Sequence, residues 1–111
     1  MPWFYDHLED TLDDIMEIDR MYCLRFDDFF EEHWEALNNI YVSLPGHFSP
    51  AAAPIWFGPW NSTTYLYASA EPPGLQVAGT LRRQDWVAWT AAFQKQVELS
   101  NLPRYQVDWD Y

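Results

Sequence analysis

At 111 residues, with 49% hydrophobic and 19% aromatic side chains, the chain has the material for one packed domain and too many aromatics for an acidic disordered tail. Its formal charge of −11 disfavours direct contact with nucleic-acid phosphates or anionic lipid, both negative, and favours a basic protein surface. Cys23 stands alone and excludes an intrachain disulfide, no stretch reaches the roughly eighteen apolar residues of a membrane span, and Met1–Asp6 has no leader-like character, so a cytoplasmic protein is expected.

The charge has a location. Twelve of the 17 acids lie in the first 35 positions, opposed there by Arg20 and Arg25, while residues 36–111 carry five acids and four bases. Like charge concentrated in this way works against compaction and is usually kept for steering or docking.

Neither glycine nor proline occurs between Trp3 and Leu44, which makes this the clearest helical segment. Spaced about 100° apart, Leu8, Leu12, Ile15, Tyr22, Phe26, Phe29, Phe30, Leu37 and Ile40 fall on one side. Asp6, Glu9, Asp13, Glu17, Asp27, Glu31 and Glu35 fall on the other. Asp6-His7-Leu8-Glu9 and Asp28-Phe29-Phe30-Glu31 read as variant capping boxes. Asp19 to Leu24 breaks the pattern, with Asp19 on the apolar side and Met21 and Leu24 on the acidic side. The spacing predicts two acidic amphipathic helices, over 7–19 and 28–43, or one long bent helix. Met21 and Leu24 are then either covered by the rest of the fold or an apolar spot set into the acidic face.

Residues 44–63 hold Pro45, Gly46, Pro50, Pro54, Gly58 and Pro59 and predict a long loop, anchored by Trp56, Phe57 and Trp60. A hairpin is predicted next, with β-prone runs over 64–70 and 75–81 around a turn at Glu71-Pro72-Pro73-Gly74. Asp85 to Leu99 predicts a third helix, with Trp86, Trp89 or Thr90, Phe93 and Val97 at helical spacing, stopped by Asn101 and Pro103. Tyr105, Val107, Trp109 and Tyr111 alternate as in a further strand. The expected fold is a small α+β domain spanning 1–111: an acidic helical part over 7–43, the loop over 44–63, and a short antiparallel sheet with the third helix over 64–111.

Chemistry finds little footing. There is no His-Glu-x-x-His, Glu-x-x-His or Cys-x-x-Cys pattern, so neither a metal nor another cofactor is expected, and His33 reads as a packed histidine with one nitrogen satisfied. The acids around Cys23 would raise its pKa, and neither a Gly-x-Ser-x-Gly elbow nor a phosphate loop is present. Two carboxylates in an aromatic cleft could serve glycoside chemistry, but the acids read as an exposed stripe. Trp56, Phe57 and Trp60 could stack on sugars, although a domain this small needs its large aromatics for the core. No enzyme is expected.

The stripe itself remains. An ordinary solvated helix face interleaves lysine with glutamate, whereas like charges here recur at i,i+4, each pair costing roughly 0.2–0.5 kcal/mol, and Lys95 is the one lysine in the chain. Carboxylates four residues apart on a helix are displaced about 6 Å along its axis, close to the charge density of a nucleic-acid backbone. In composition, though in no motif, this is similar to small viral nucleic-acid mimics that inhibit restriction or CRISPR nucleases. The expected function is a non-enzymatic, phage-type anti-defence inhibitor that occupies the basic surface of a nucleic-acid-binding protein or nuclease complex in a bacterial cytoplasm. The expected contact residues are Asp6, Glu9, Asp10, Asp13, Asp14, Glu17, Asp27, Asp28, Glu31, Glu32 and Glu35, with Trp34 and Trp109 as aromatic anchors. An immunity protein for a cationic toxin and an accessory subunit of a larger assembly are the alternatives, and a homodimer is left open.

Overall fold

Residues 15–19, expected in the first helix, belong instead to a strand, Ile15–Tyr22, that exchanges eight register positions with its neighbour. The structure is a computed structural model that describes residues 3–6, 9–10, 14–48, 54–59 and 62–107. In chain order the elements are β1 (Phe4–Asp6), β2 (Glu9–Asp10), β3 (Ile15–Tyr22), a 3-10 turn (Phe26–Asp28), α1 (Glu31–Ser43), β4 (Ile55–Trp56), β5 (Tyr65–Glu71), β6 (Gly74–Arg82) and α2 (Arg83–Leu99). All strand pairings are antiparallel, in the order β1-β3-β6-β5-β4, with β2 also on the outer side of β3.

This corrects the expected fold. Neither two N-terminal helices nor one long bent helix is present; the described residues hold two helices, one within the chain's middle and one after the sheet. The reason lies in β3, where Met16, Ile18, Arg20 and Tyr22 are buried and Glu17 and Asp19 are exposed. That is the two-residue period of a half-buried strand, and eight rungs with β6 outweigh a helical pattern that Asp19 and Met21 already violated. Asp28 is not a cap either. Phe30 takes that position, and its N–H donates to His33 Nδ1 at 2.8 Å.

The class is α+β, with both helices on one face of the sheet. α2 lays Trp86, Trp89, Phe93 and Val97 against the buried side chains of β3, β5 and β6, and α1 adds Leu37 and Ile40. Arg20 is the one buried charged residue among those described. Its guanidinium lies 4.1 Å from the Phe4 ring centre and 4.9 Å from that of Trp86, and donates to Tyr22 Oη at 3.2 Å and Thr90 Oγ1 at 3.0 Å. The predicted loop folds inward: Trp56 is fully buried in β4 and its indole N–H donates to the Tyr41 carbonyl at 3.0 Å. The same burial of Trp56 removes it from any sugar-stacking platform, and Trp60 lies outside the described residues.

β5 and β6 form the predicted hairpin, in which Gly79 holds φ 153° and a Cβ would overlap the Tyr65 carbonyl oxygen. Gly79→Ala is therefore expected to lose at least about 1–3 kcal/mol through backbone strain alone, read as a lowered midpoint in urea unfolding.

The tail does not make the expected strand within its described part. It runs past Cys23–Arg25 through one bridge, Leu24 to Arg104, with the Tyr105 N–H donating to the Cys23 carbonyl at 3.0 Å; residues 108–111 lie outside the described residues. The Tyr105 hydroxyl donates to the Pro73 carbonyl. Burial, then its hydrogen bond with Cys23, pushes Tyr105 up from 10.0 to about 12. Burial likewise raises Cys23 and Tyr41. These groups ionise more readily in the unfolded chain, so the unfolded state loses protons first and stability falls with rising pH. For Tyr105 the stabilisation is complete below pH 10 and is lost as pH climbs to about 12. Melting temperature is expected to hold below pH 9 and fall steadily above pH 10, in step with tyrosinate absorbance; a flat profile over that window would contradict it.

Candidate protein-docking site

Leaving β3, the chain buries Leu24 and then turns outward. Asp28 N–H donates to the Arg25 carbonyl at 2.9 Å and Phe29 N–H to that of Phe26 at 3.0 Å, closing the 3-10 turn. Phe29 and Phe30 are then extended (the latter at φ −99°, ψ 175°) before α1 begins. Two adjacent phenylalanines in extended backbone point to opposite sides, so one can pack while the other cannot. Phe29 packs and Phe30 is left 70% exposed.

An aromatic cluster results. Trp34, from the first turn of α1, stacks on Phe26 at 5.0 Å between ring centres and 14° between planes. Phe29 meets both, at 4.9 Å from Trp34 and 5.0 Å from Phe26. His33 is half-buried between Phe29 and Phe30, at 5.5 and 5.8 Å, and accepts the cap N–H. Phe26 and Phe29 pack against the core, so the stacking ties Trp34 to it. Trp34 is 39% exposed, and with Phe30 it gives the surface an apolar tip of the kind that marks a contact region.

Exposed carboxylates flank that tip along the chain. Asp27, Asp28, Glu31, Glu32 and Glu35 are all exposed. Asp28 lies 3.7 Å from Arg25 Nε, and the other four make no ion pair among the described residues. Glu31 and Glu32 complement the positive end of the α1 dipole. Glu31 and Glu35 share a helix at i,i+4 and repel, so that part of the expected cost is real. The pair Asp27–Glu31 is not an i,i+4 helical pair, because 26–28 is a 3-10 turn before α1, and Glu9 and Glu17 lie on strands while Asp13 is outside the described residues.

The remaining expected contact residues are placed apart from this spur in the fold. Asp6 lies on β1 opposite Arg20, and Glu9 and Asp10 lie on β2 opposite Glu17 and Met16. Asp14 is exposed but engaged, its Oδ1 accepting Arg83 Nε at 3.1 Å, which ties the entry of β3 to the start of α2. Glu17 is exposed on the sheet face that carries no helix. Asp13 and Trp109 lie outside the described residues. Phe26, Phe29 and Phe30, which the helical spacing puts on one apolar side, divide in the structure: Phe26 and Phe29 are half-buried against the core and Phe30 is exposed.

No group of three metal-ligating side chains occurs among the described residues, and the Cys23 thiol is buried with its pKa raised. No helix among the described residues is long and apolar enough to cross a membrane. The chain matches no protein-family model, no curated protein and no solved structure.

Proposed function

We propose that this is a non-enzymatic inhibitor that docks its acidic aromatic spur, residues 26–35, onto the basic nucleic-acid-binding surface of a partner protein. The observation that carries the reading is the tip itself: Phe30 and Trp34 exposed together, with five exposed carboxylates around them and one of those five ion-paired among the described residues. Aromatic anchors inside a charged rim are the composition of an interface centre. The rim steers a cationic partner and the rings hold it. Mimicry of a nucleic-acid backbone is supported by charge spacing. Glu31 and Glu35 are about 6 Å apart along α1, and Glu17 and Asp19 about 7 Å apart along β3. The setting that such a protein serves is viral: an anti-restriction or anti-CRISPR inhibitor acting in the cytoplasm of a bacterial host on a nuclease complex.

Reversing Glu31, Glu32 and Glu35 together to lysine tests the steering. Capture of a nucleic-acid-binding protein from host lysate is expected at low salt with the native chain and to vanish with the triple variant, the association rate falling by about tenfold or more. Raising salt should weaken the native complex mainly through the same rate. Capture that survives both charge reversal and high salt would overturn the reading.

A further inference from the structure

The sheet face opposite the helices carries a regular pattern that the spur does not use. In register, Glu17 of β3 stands beside Thr80 of β6, and Thr80 beside Tyr65 of β5. The next rung on the same face is Asp19, Ala78 and Tyr67. Two adjacent rungs therefore share one order: a carboxylate, a small side chain, a tyrosine. Strands pack about 4.8 Å apart, so carboxylates and rings face each other across about 9.6 Å of low floor. These six side chains line a groove of about 420 Å³. The rung beyond it, Met21, Gln76 and Ser69, has neither a carboxylate nor a ring, so the trough is confined to two rungs.

The two walls differ in chemistry. Tyr65 and Tyr67 lie nearly parallel, 8° between planes and 6.3 Å between centres, and form the aromatic wall as a stacked pair. Glu17 and Asp19 are exposed and make no ion pair among the described residues; Asp19 Oδ1 accepts Gln76 Nε2 at 3.2 Å. Burial first, then the charges of Tyr65, Asp19 and Glu71, push the Tyr67 hydroxyl up, so it stays protonated and neutral beside the two carboxylates.

We infer that this trough is a second docking site and that its occupant is an arginine side chain of the basic partner, its guanidinium plane laid on the tyrosine wall and its N–H groups turned to Glu17 and Asp19. Charge complementarity selects a cation, and the parallel tyrosine rings select the planar one. A guanidinium stacks on a ring and donates along its edge at once, whereas an ammonium is a compact, strongly hydrated point charge. Ala78 supplies the clearance: a larger side chain at the centre of the floor would fill the slot. The inference rests on the reading of a basic partner but on different residues from the spur, so the two can fail separately.

The test is a nuclear magnetic resonance titration of the isotope-labelled full chain with a Gly-Arg-Gly-Arg-Gly peptide and its lysine counterpart. Amide shifts are expected at residues 17, 19, 65, 67, 78 and 80, with the arginine peptide bound several-fold tighter than the lysine one. Tyr67→Ala should weaken the arginine peptide by about tenfold, Asp19→Asn should weaken it too, and Tyr67→Phe should bind as the native chain does. The Phe variant keeps the ring and the fold, so equal loss in Phe and Ala variants would overturn the aromatic contact. Trough shifts should persist in the Glu31, Glu32 and Glu35 reversal. Shifts confined to residues 27–35, or no shifts at all, would overturn the site, the former leaving the spur reading intact. Trough shifts that appear with protein concentration alone would mark a second copy of the chain as the occupant and equally overturn it.

Discussion

Truncating Trp89 to alanine is expected to cost about 3–5 kcal/mol of stability. Trp89 is fully buried, stacked on Phe93 at 5.1 Å, 5.9 Å from Trp86, and met edge-on by Trp56 at 5.0 Å. It joins α2 to the edge strand β4, so its removal opens a cavity bounded by rings from two separate elements. Against a total of about 5–15 kcal/mol this threatens folding at ambient temperature. In a domain near 100 residues it corresponds to a fall in Tm of about 12–40 °C. Trp89→Phe is the informative companion. The indole N–H is buried with no hydrogen-bond partner among the described residues, and an unmet donor costs roughly 1–3 kcal/mol. Phenylalanine keeps much of the packing and removes that donor, so its loss should be less than about half that of alanine. Equal loss in the two variants would contradict the packing account.

The second large effect falls on binding. Phe30→Ala should reduce affinity for the captured partner by about thirtyfold, and the Phe30→Ala, Trp34→Ala double variant should abolish detectable capture. Phe30 is the cleaner probe, since at 70% exposure its truncation should alter stability by no more than about 0.5 kcal/mol. Trp34 stacks on Phe26 and meets Phe29 at a tilt, so its truncation also loosens the spur. The aromatic variants should act on the dissociation rate and the glutamate reversals on the association rate. Unchanged affinity in Phe30→Ala would remove the spur as the anchor.

The sequence was most legible where one period ran without conflict. The hairpin at 65–82 and α2 at 83–99 coincide closely with the predicted segments, because Pro72-Pro73-Gly74 punctuates the one and Trp86, Trp89, Phe93 and Val97 phase the other. Residues 7–22 misled for a physical reason. Arg20 occupies an inward position on β3, paired through ring faces and hydroxyls, so an alternation that is perfect in space looks broken in letters. Met21, outward on the same strand, broke it again. The anomalies at Asp19 and Met21 vanish at a period of two, and that was the available signal. Short strands β1, β2 and β4 have no local pattern of their own and exist through pairing to β3 and β5. For the proposed site, charge drew attention to 27–35 but not to the exposed ring within it, since the exposure of Phe30 follows from the turn at 26–28, which helical spacing did not anticipate.

The central claim is that the acidic spur competes with nucleic acid for one basic surface. Its most direct measurement takes the captured partner in purified form and follows its binding to labelled duplex or guide nucleic acid while this protein is titrated in at fixed salt. The account predicts full displacement at stoichiometric protein, and none with the Glu31, Glu32 and Glu35 reversal. A ternary complex of partner, nucleic acid and this protein bound together would contradict it.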